Sequence, residues 1–270
     1  MPGIDGCCRR SLSEMEPIAL ELFERPKLNR PIFVEGLPGV GSVGKIAIEH
    51  LIAELKPKKF AEILSKHFPP QVMVDQSGRI KMFTNDLYYL KRAGKSDIIF
   101  MSGDTQAITP DGQYELSDFI VNFISDLGAR EVYTLGGYNV GKLVEKARVF
   151  GAGTSNELIE KAQKLGVVFK TDEPGGGIAG ASGLILAFAE KKKIPSLCLL
   201  GETSGFFVDP KGAEATLGVL IKLIDVKVNL SELEERAKQV EKITQRIHEF
   251  EESLAKPGAP SKKENLGYFG

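Results

Sequence analysis

The stretch Pro31-Ile-Phe-Val-Glu35, followed at once by Gly36-Leu-Pro-Gly-Val-Gly-Ser-Val-Gly44, decides the fold class. A short continuous apolar run bounded by glycine reads as a buried strand. Beyond the glycines, Ile46, Ala47, His50, Leu51 and Leu55 recur at helical spacing until Pro57 stops the helix. Strand, tight turn and helix together predict a β-turn-α unit.

Working outward, the same order returns. Asp97-Ile-Ile-Phe-Met-Ser102 is a second continuous apolar strand, and after a Pro-Asp-Gly turn the segment Tyr114 to Leu127 carries its apolar residues on one helical face. Glu131 to Leu135 is a further strand. After a loop comes a helix to Leu165, opened by Thr154 as N-cap, with Glu157 three residues on completing a capping box. Val167-Val-Phe169 is a short strand, Ile178 to Lys191 a helix, Pro195 to Leu200 a strand, and Pro210 to Leu223 a helix whose proline suits the first turn. Between the first two units, Phe60 to Ser65, Gln71 to Asp75 and Arg79 to Thr84 alternate in the manner of paired strands, with a turn at Ser77-Gly78. Alternating strands and helices predict a three-layer α/β domain, with a largely parallel sheet, right-handed crossovers and helices on both faces.

This core is expected over residues 26–228, after a polar leader over residues 1–25. Ser231 with Glu234 forms another capping box and opens a charged amphipathic helix within residues 229–255. Leu233, Ala237, Val240, Ile243, Ile247, Phe250 and Leu254 form one stripe along it, on a rod of about 36 Å. The stripe packs either on its own domain or on neighbouring subunits. On the second reading Leu233, Val240, Ile243, Ile247, Phe250 and Leu254 are the candidates for an oligomer interface. Residues 256–270 read as a flexible tail, because Lys256-Pro-Gly-Ala-Pro-Ser-Lys-Lys-Glu-Asn265 is linker-like. It ends in Leu266-Gly-Tyr-Phe-Gly270, which makes Tyr268, Phe269 and Gly270 the candidate partner-binding residues.

Bulk properties narrow the function. With 270 residues, 42% apolar and 26% charged, the chain buries a full core. Thirty-five basic against 36 acidic residues give a formal charge of -1, which supplies no global field for nucleic acid or an anionic membrane. Three cysteines without a Cys-x-x-Cys pair point to a reducing compartment, read here as the cytoplasm. Arg9-Arg10 is followed by acidic residues and no apolar h-region, and the longest apolar stretch, Ile178 to Ala189, is too short to cross a bilayer as a helix.

Several motifs invite a chemical reading. Gly39-Val-Gly-Ser-Val-Gly44-Lys45-Ile46 partly matches a Walker A loop, but Ile46 stands where a Ser or Thr would hold magnesium. It also has the three glycines of a dinucleotide fingerprint, with Glu62 near the distance at which an acid meets a ribose. A nucleotide-binding or nucleoside-processing enzyme is therefore the alternative to a tight packing turn at residues 36–44. Thr171 to Gly183 is a second glycine-rich segment, in which Ser182 lacks the spacing of a nucleophile elbow. His50, His67 and His248 are scattered. Asp104 and Glu202 follow predicted strands, as an acid and base in one crevice or as ordinary loop residues. No catalytic residue, cofactor or metal is assigned.

Taken in order, Gly36-Leu-Pro-Gly-Val-Gly-Ser-Val-Gly44, Gly103-Asp-Thr-Gln106, Gly175-Gly-Gly-Ile-Ala-Gly-Ala-Ser-Gly183, Leu200-Gly-Glu-Thr-Ser-Gly205 and Asp209-Pro-Lys-Gly-Ala213 resemble the archaeal proteasome assembly chaperone family. The resemblance implies a fold similar to purine nucleoside phosphorylases, used for protein binding and homo-oligomeric assembly rather than catalysis. It also implies a C-terminal hydrophobic-Tyr-any tail that docks between proteasome α subunits. In the matching register Tyr268 takes the hydrophobic place, Phe269 the tyrosine place and Gly270 the end, so the ring is kept and the phenolic hydroxyl is lost. Either proteasome α subunits or a related chaperone subunit is the expected partner.

Overall fold

The computed structural model describes residues 16–142, 144, 146–169 and 177–240. Its elements are β1 (Ile18–Leu22), β2 (Ile32–Gly36), α1 (Val43–Leu55), β3 (Lys58–Ser65), β4 (Val72–Val74), β5 (Ile80–Met82), β6 (Asn85–Leu90) and β7 (Ile98–Gly103). They continue with α2 (Pro110–Asp126), β8 (Glu131–Asn139), β9 (Val149–Gly153), α3 (Asn156–Lys164), α4 (Ala181–Lys191), β10 (Ser196–Thr203) and α5 (Pro210–Leu223), and residues 231–240 are helical.

Eight strands form one sheet in the order β1-β3-β6-β7-β2-β8-β10-β9. Its centre, β7-β2-β8-β10, is parallel, and β1, β3, β6 and β9 join the flanks through antiparallel pairs. The central strands are buried along nearly their whole length, as parallel strands covered on both faces must be. Val34, Phe100, Tyr133 and Leu199 face one apolar cluster with α1 and α5, while Phe33, Ile99, Met101 and Val132 face the other with α2 and α4. The three-layer α/β architecture is thus present, with a parallel centre.

Two sequence expectations need correcting. The polar leader ends earlier than residue 25, because Ile18–Leu22 forms an edge strand on β3, with Ile18, Leu20 and Leu22 packed on the core. Ser155, not Thr154, occupies the N-cap of α3, and its side chain makes no capping bond. Thr154 Oγ1 instead accepts from Ser196 N (3.0 Å), which ties the end of β9 to β10. β9 itself was hidden in Val-Phe-Gly-Ala-Gly, and β6 in the polar start Asn-Asp-Leu.

The C-terminal helix begins against its own domain. His50 Nε2 lies 2.6 Å from Asn229 O, and Glu54 accepts from Asn229 N (3.0 Å). Asn229 Oδ1 accepts from both Ser231 N and Ser231 Oγ, so Asn229 rather than a Ser231–Glu234 box fixes the helix start. Leu233 and Ala237 are buried in the chain's own core, and Val240 is half-buried. Leu233 therefore anchors the helix intramolecularly and is withdrawn as an interface candidate. Ile243, Ile247, Phe250, Leu254, Tyr268, Phe269 and Gly270 lie outside the described residues.

Candidate functional site at the crest of the sheet

Strands β2, β7, β8 and β10 all finish at one end of the sheet, called here the crest. β3 runs the same way, being antiparallel to β6, which is antiparallel to β7. The opposite end is the base. In open α/β sheets the crest is where ligands and partners are met.

The glycine-rich turn after β2 sits in the middle of the crest and is packed on all sides. A Cβ on Gly44 would lie 2.2 Å from Leu135 O, and one on Gly137 2.2 Å from Val40 O. Gly41 has φ +61 and faces Thr203, where a Cβ would approach Oγ1 to 2.7 Å. These residues are glycine so that α1 can begin directly against β8 and β10. Gln106, after β7, ties the turn after β2 to the first turns of α4 and α2 by donating to Pro38 O (2.7 Å), accepting from Ala181 N (3.0 Å) and accepting from Gln113 Nε2 (3.2 Å).

The polar groups of the crest are engaged with one another. Lys45 donates to Gly103 O (2.7 Å) and pairs with Glu49 (2.9 Å). Asp104 accepts from Thr84 N (3.1 Å) and Lys81 (3.2 Å). Glu202 accepts twice from the Arg148 guanidinium (2.7 and 3.0 Å) and from Arg148 N (3.1 Å), which holds its carboxyl below the ordinary range. Two strands, β2 and β8, separate the strands that carry Asp104 and Glu202. They do not share a crevice as an acid and base pair would.

The dinucleotide reading is likewise taken apart by topology. Glu62 sits on β3, three strands and about 14 Å of sheet from β2, instead of on its neighbour. It pairs with Lys59 (2.8 Å). Ser182, in the first turn of α4, is buried and donates to Glu35 Oε2 (3.1 Å), a helix-packing role. Glu35 is fully buried and also accepts from Leu37 N (2.9 Å); burial pushes its pKa up to about 7. Sequence reading passed over Glu35, whose only signal is a carboxylate ending an otherwise apolar strand. Burial also pushes the Cys198 thiol up to about 12. His67 contacts Glu115 (2.8 Å), while Thr171 to Gly176 and His248 lie outside the described residues. Among the described residues no group of three or more His, Cys, Asp or Glu is placed to hold a metal ion.

Beside exposed charges such as Lys81, Arg79 and Arg148, the crest carries most of the exposed large apolar side chains. Nine of the twelve large hydrophobic side chains left open by the described residues lie there: Val40, Val72, Val74, Ile80, Met82, Ile108, Phe206, Phe207 and Val208. They fall into two groups. Asp209 N donates to Gly41 O (2.8 Å), which brings the Phe206-Phe207-Val208 loop to Val40 above β2 and β10. The β4–β5 hairpin stands above the other half. The base, by contrast, exposes Phe23 and a recess of about 460 Å³ lined by Arg30, Arg92, Lys95, Arg130 and Asp225.

The amino-acid sequence that builds this sheet and crest matches the model of a known family over residues 33–248. The chain belongs to the PAC2 family. An uncharacterised protein of Methanocaldococcus jannaschii is 44% identical over 90% of this chain and 93% of its own length. Among solved structures, Pyrococcus furiosus PbaB, described as an archaeal proteasome activator, is 38% identical with a TM-score of 0.81, covering 87% of this chain and 100% of that one. P. furiosus PbaA, an archaeal homolog of proteasome-assembly chaperone, is 32% identical with a TM-score of 0.72, covering 89% and 95%. The chain is thus a chaperone-like scaffold of this family.

Proposed function

We propose that this PAC2 protein is a homo-oligomeric, cytoplasmic binding scaffold that engages proteasome α subunits, or a related chaperone subunit, and catalyses no reaction. The observation that carries the reading is the crest itself. Where an α/β enzyme gathers reactive groups, this chain ties its carboxylates and Lys45 to neighbours and presents Val40, Phe206, Phe207 and Val208 to solvent. Exposed aromatics of this kind are common anchors of protein interfaces. The likeness to PbaB and PbaA supplies the partner class.

In this reading the C-terminal residues Tyr268, Phe269 and Gly270 provide a second contact, delivered by the linker at 256–265. A single short tail binds weakly. Several tails on one assembly raise the effective concentration, so that a symmetric partner is held tightly. No cofactor or nucleic acid is needed for this. Deleting Tyr268 to Gly270 should leave the circular dichroism and the assembly mass unchanged while abolishing capture of an archaeal proteasome in a pull-down. Undiminished capture by the truncated chain would overturn the tail's role.

A further inference from the structure

The base of the sheet gathers cations in one place, and the pairing of the central strands is what gathers them. Ile32 of β2 lies beside Glu131 of β8, and Arg130 N donates to Pro31 O (2.9 Å), so Arg30 and Arg130 stand at the starts of neighbouring parallel strands. The turn between β6 and β7 brings Arg92 and Lys95 to the same end, where Asp97 N donates to Asn29 O (3.1 Å). All four cations line the recess of about 460 Å³, together with Asp225 after α5 and the polar residues Asn29 and Ser96.

Their partners account for only part of this charge. Arg92 donates to Ile224 O (2.6 Å) and Ser96 O (2.5 Å), which covers the carbonyl end of α5 that would otherwise repel an anion. Lys95 pairs with Asp225 (2.5 Å) and Arg130 with Glu131 (2.5 Å), while the buried Asp97 is matched by Lys91 (2.7 Å). Four lining cations against the carboxylates of Asp225 and Glu131 leave two positive charges over. Among the described residues the Arg30 guanidinium has no hydrogen-bond or ion-pair partner, and the Nε of Arg130 is buried with no acceptor. A buried donor left unpaired is costly. Burial lowers the Arg92 pKa, and the nearby Arg130 guanidinium adds to this against the pull of Asp225 and Asp97. Arg30 also holds φ +41, a left-handed backbone that glycine adopts without strain and a long side chain does not.

We infer that this recess binds a small sugar phosphate, with the phosphate held between Arg30 and Arg130. The inference goes beyond the scaffold reading and is independent of it. A phosphate monoester carries about two negative charges near neutral pH, which matches the surplus, whereas a single carboxylate would neutralise half of it. Its oxygens suit the planar donor forks of two guanidiniums and supply an acceptor for the open Nε of Arg130. The volume lies within the roughly 300–1,000 Å³ of small-molecule sites, so there is room for more than inorganic phosphate. Asn29 and Ser96 on the wall offer hydrogen bonds, which suits a hydroxyl-rich organic part. A nucleic-acid backbone would need a stripe of such cations, and the chain as a whole carries a formal charge of -1.

The test uses the full chain and ribose 5-phosphate, with ribose and inorganic phosphate as companions. Isothermal titration is run at about 0.15 M salt, where scattered surface charges are largely screened. Ribose 5-phosphate should bind saturably at one site per chain and several-fold more tightly than inorganic phosphate, and ribose should give no binding heat. Arg30→Gly removes the guanidinium and the left-handed strain together, so the fold is kept. Its affinity should fall about ten-fold or more, while the midpoint of thermal unfolding without ligand stays level or rises. Arg130→Lys keeps the charge but not the planar fork and should bind several-fold more weakly. Lys81→Ala removes the same charge at the crest and should leave the affinity within about two-fold of the unmodified chain. No saturable binding of ribose 5-phosphate, undiminished binding by Arg30→Gly, or equal weakening by Lys81→Ala would each overturn the inference, as would inorganic phosphate binding as tightly as the ester. No arm of the test depends on assembly or on capture of a protein partner.

Discussion

The crest and the base of the sheet are built from the same strands and helices yet solve their connections in opposite ways. At the crest, chain crossings are tight enough that glycine is required by contact: Gly44 against Leu135 O, Gly137 against Val40 O, Gly103 against Asn85. At the base the left-handed positions are held by Arg30, Lys56, Lys193 and Asp225, or by glycines such as Gly94 and Gly128 with nothing within 4 Å of a Cβ. The crest is thus crowded inside and, among the described residues, carries most of the exposed large apolar side chains outside. The base is open and charged. That contrast shows where sequence freedom has been given up, and it is the end carrying the proposed partner surface.

The sharpest break of this contrast is a pair of alanine substitutions. Gly44→Ala should cost about 4 kcal/mol or more, because a methyl group there forces α1 off β8. Gly128→Ala at the base should cost only about 1 kcal/mol, the penalty of a left-handed backbone without a clash. Denaturant melts of the two variants compare them directly. Equal losses would show that the crest turn relaxes freely and that its glycines answer to something other than packing.

Two buried carboxylates sharpen the comparison through pH. Glu35, near the crest, has its pKa raised by burial from 4.5 to about 7, so the folded state holds its proton more firmly than the unfolded chain. Stability should therefore fall as pH rises from 4.5 through 7, by about 3 kcal/mol, and Glu35→Gln should flatten that decline. Asp97, at the base, behaves oppositely. Burial alone would raise its pKa, but the Lys91 ammonium (2.7 Å) and the amides of Asn29 (2.7 Å) and Arg92 (2.9 Å) outweigh burial and lower it. Its contribution is complete above the unfolded carboxyl range and is lost as pH falls through the lower folded value. Asp97→Asn should cost about 2 kcal/mol at neutral pH and much less in acid. Melts from pH 3 to pH 9 check both signs.

Much of this was legible because central strands and helices announce themselves locally. Ile32 to Gly36 and Ile98 to Gly103 are buried on both faces and so read as unbroken apolar runs, while α2 and α5 carry proline in their first turns and a capping side chain before them. What escaped reading depends on partners distant in sequence. β1 is half-buried and becomes a strand only beside β3; β6 mixes polar residues with tyrosines; and β9 contains two glycines. The cap of α3 moved by one residue because Thr154 has a better partner in Ser196, forty-two positions away. At the crest, the glycines were visible and their reason was not, since each answers to backbone from another strand. The aliphatic face of β4–β5 was present in the alternating pattern, but exposure decides its meaning, and exposure is a tertiary property.

The smallest expected effect is again at the base. Lys56 closes α1 with φ +47 and donates its N–H to Ile52 O (3.0 Å). Lys56→Gly should stabilise the chain by about 0.5–1 kcal/mol, since glycine adopts that conformation without cost from a Cβ. A loss of stability in the melt would show that the Lys56 side chain has a role at the base that its backbone conformation does not reveal.

An assembling scaffold for a protein partner is recognised by the mass of its intact assembly. Native mass spectrometry of the full chain, alone and mixed with an archaeal proteasome, reports stoichiometry and partner together. A multimer of the 29.4 kDa chain is expected, and with the proteasome a complex in which several copies share one particle. A chain that remains monomeric and adds no mass to the proteasome would contradict the scaffold reading.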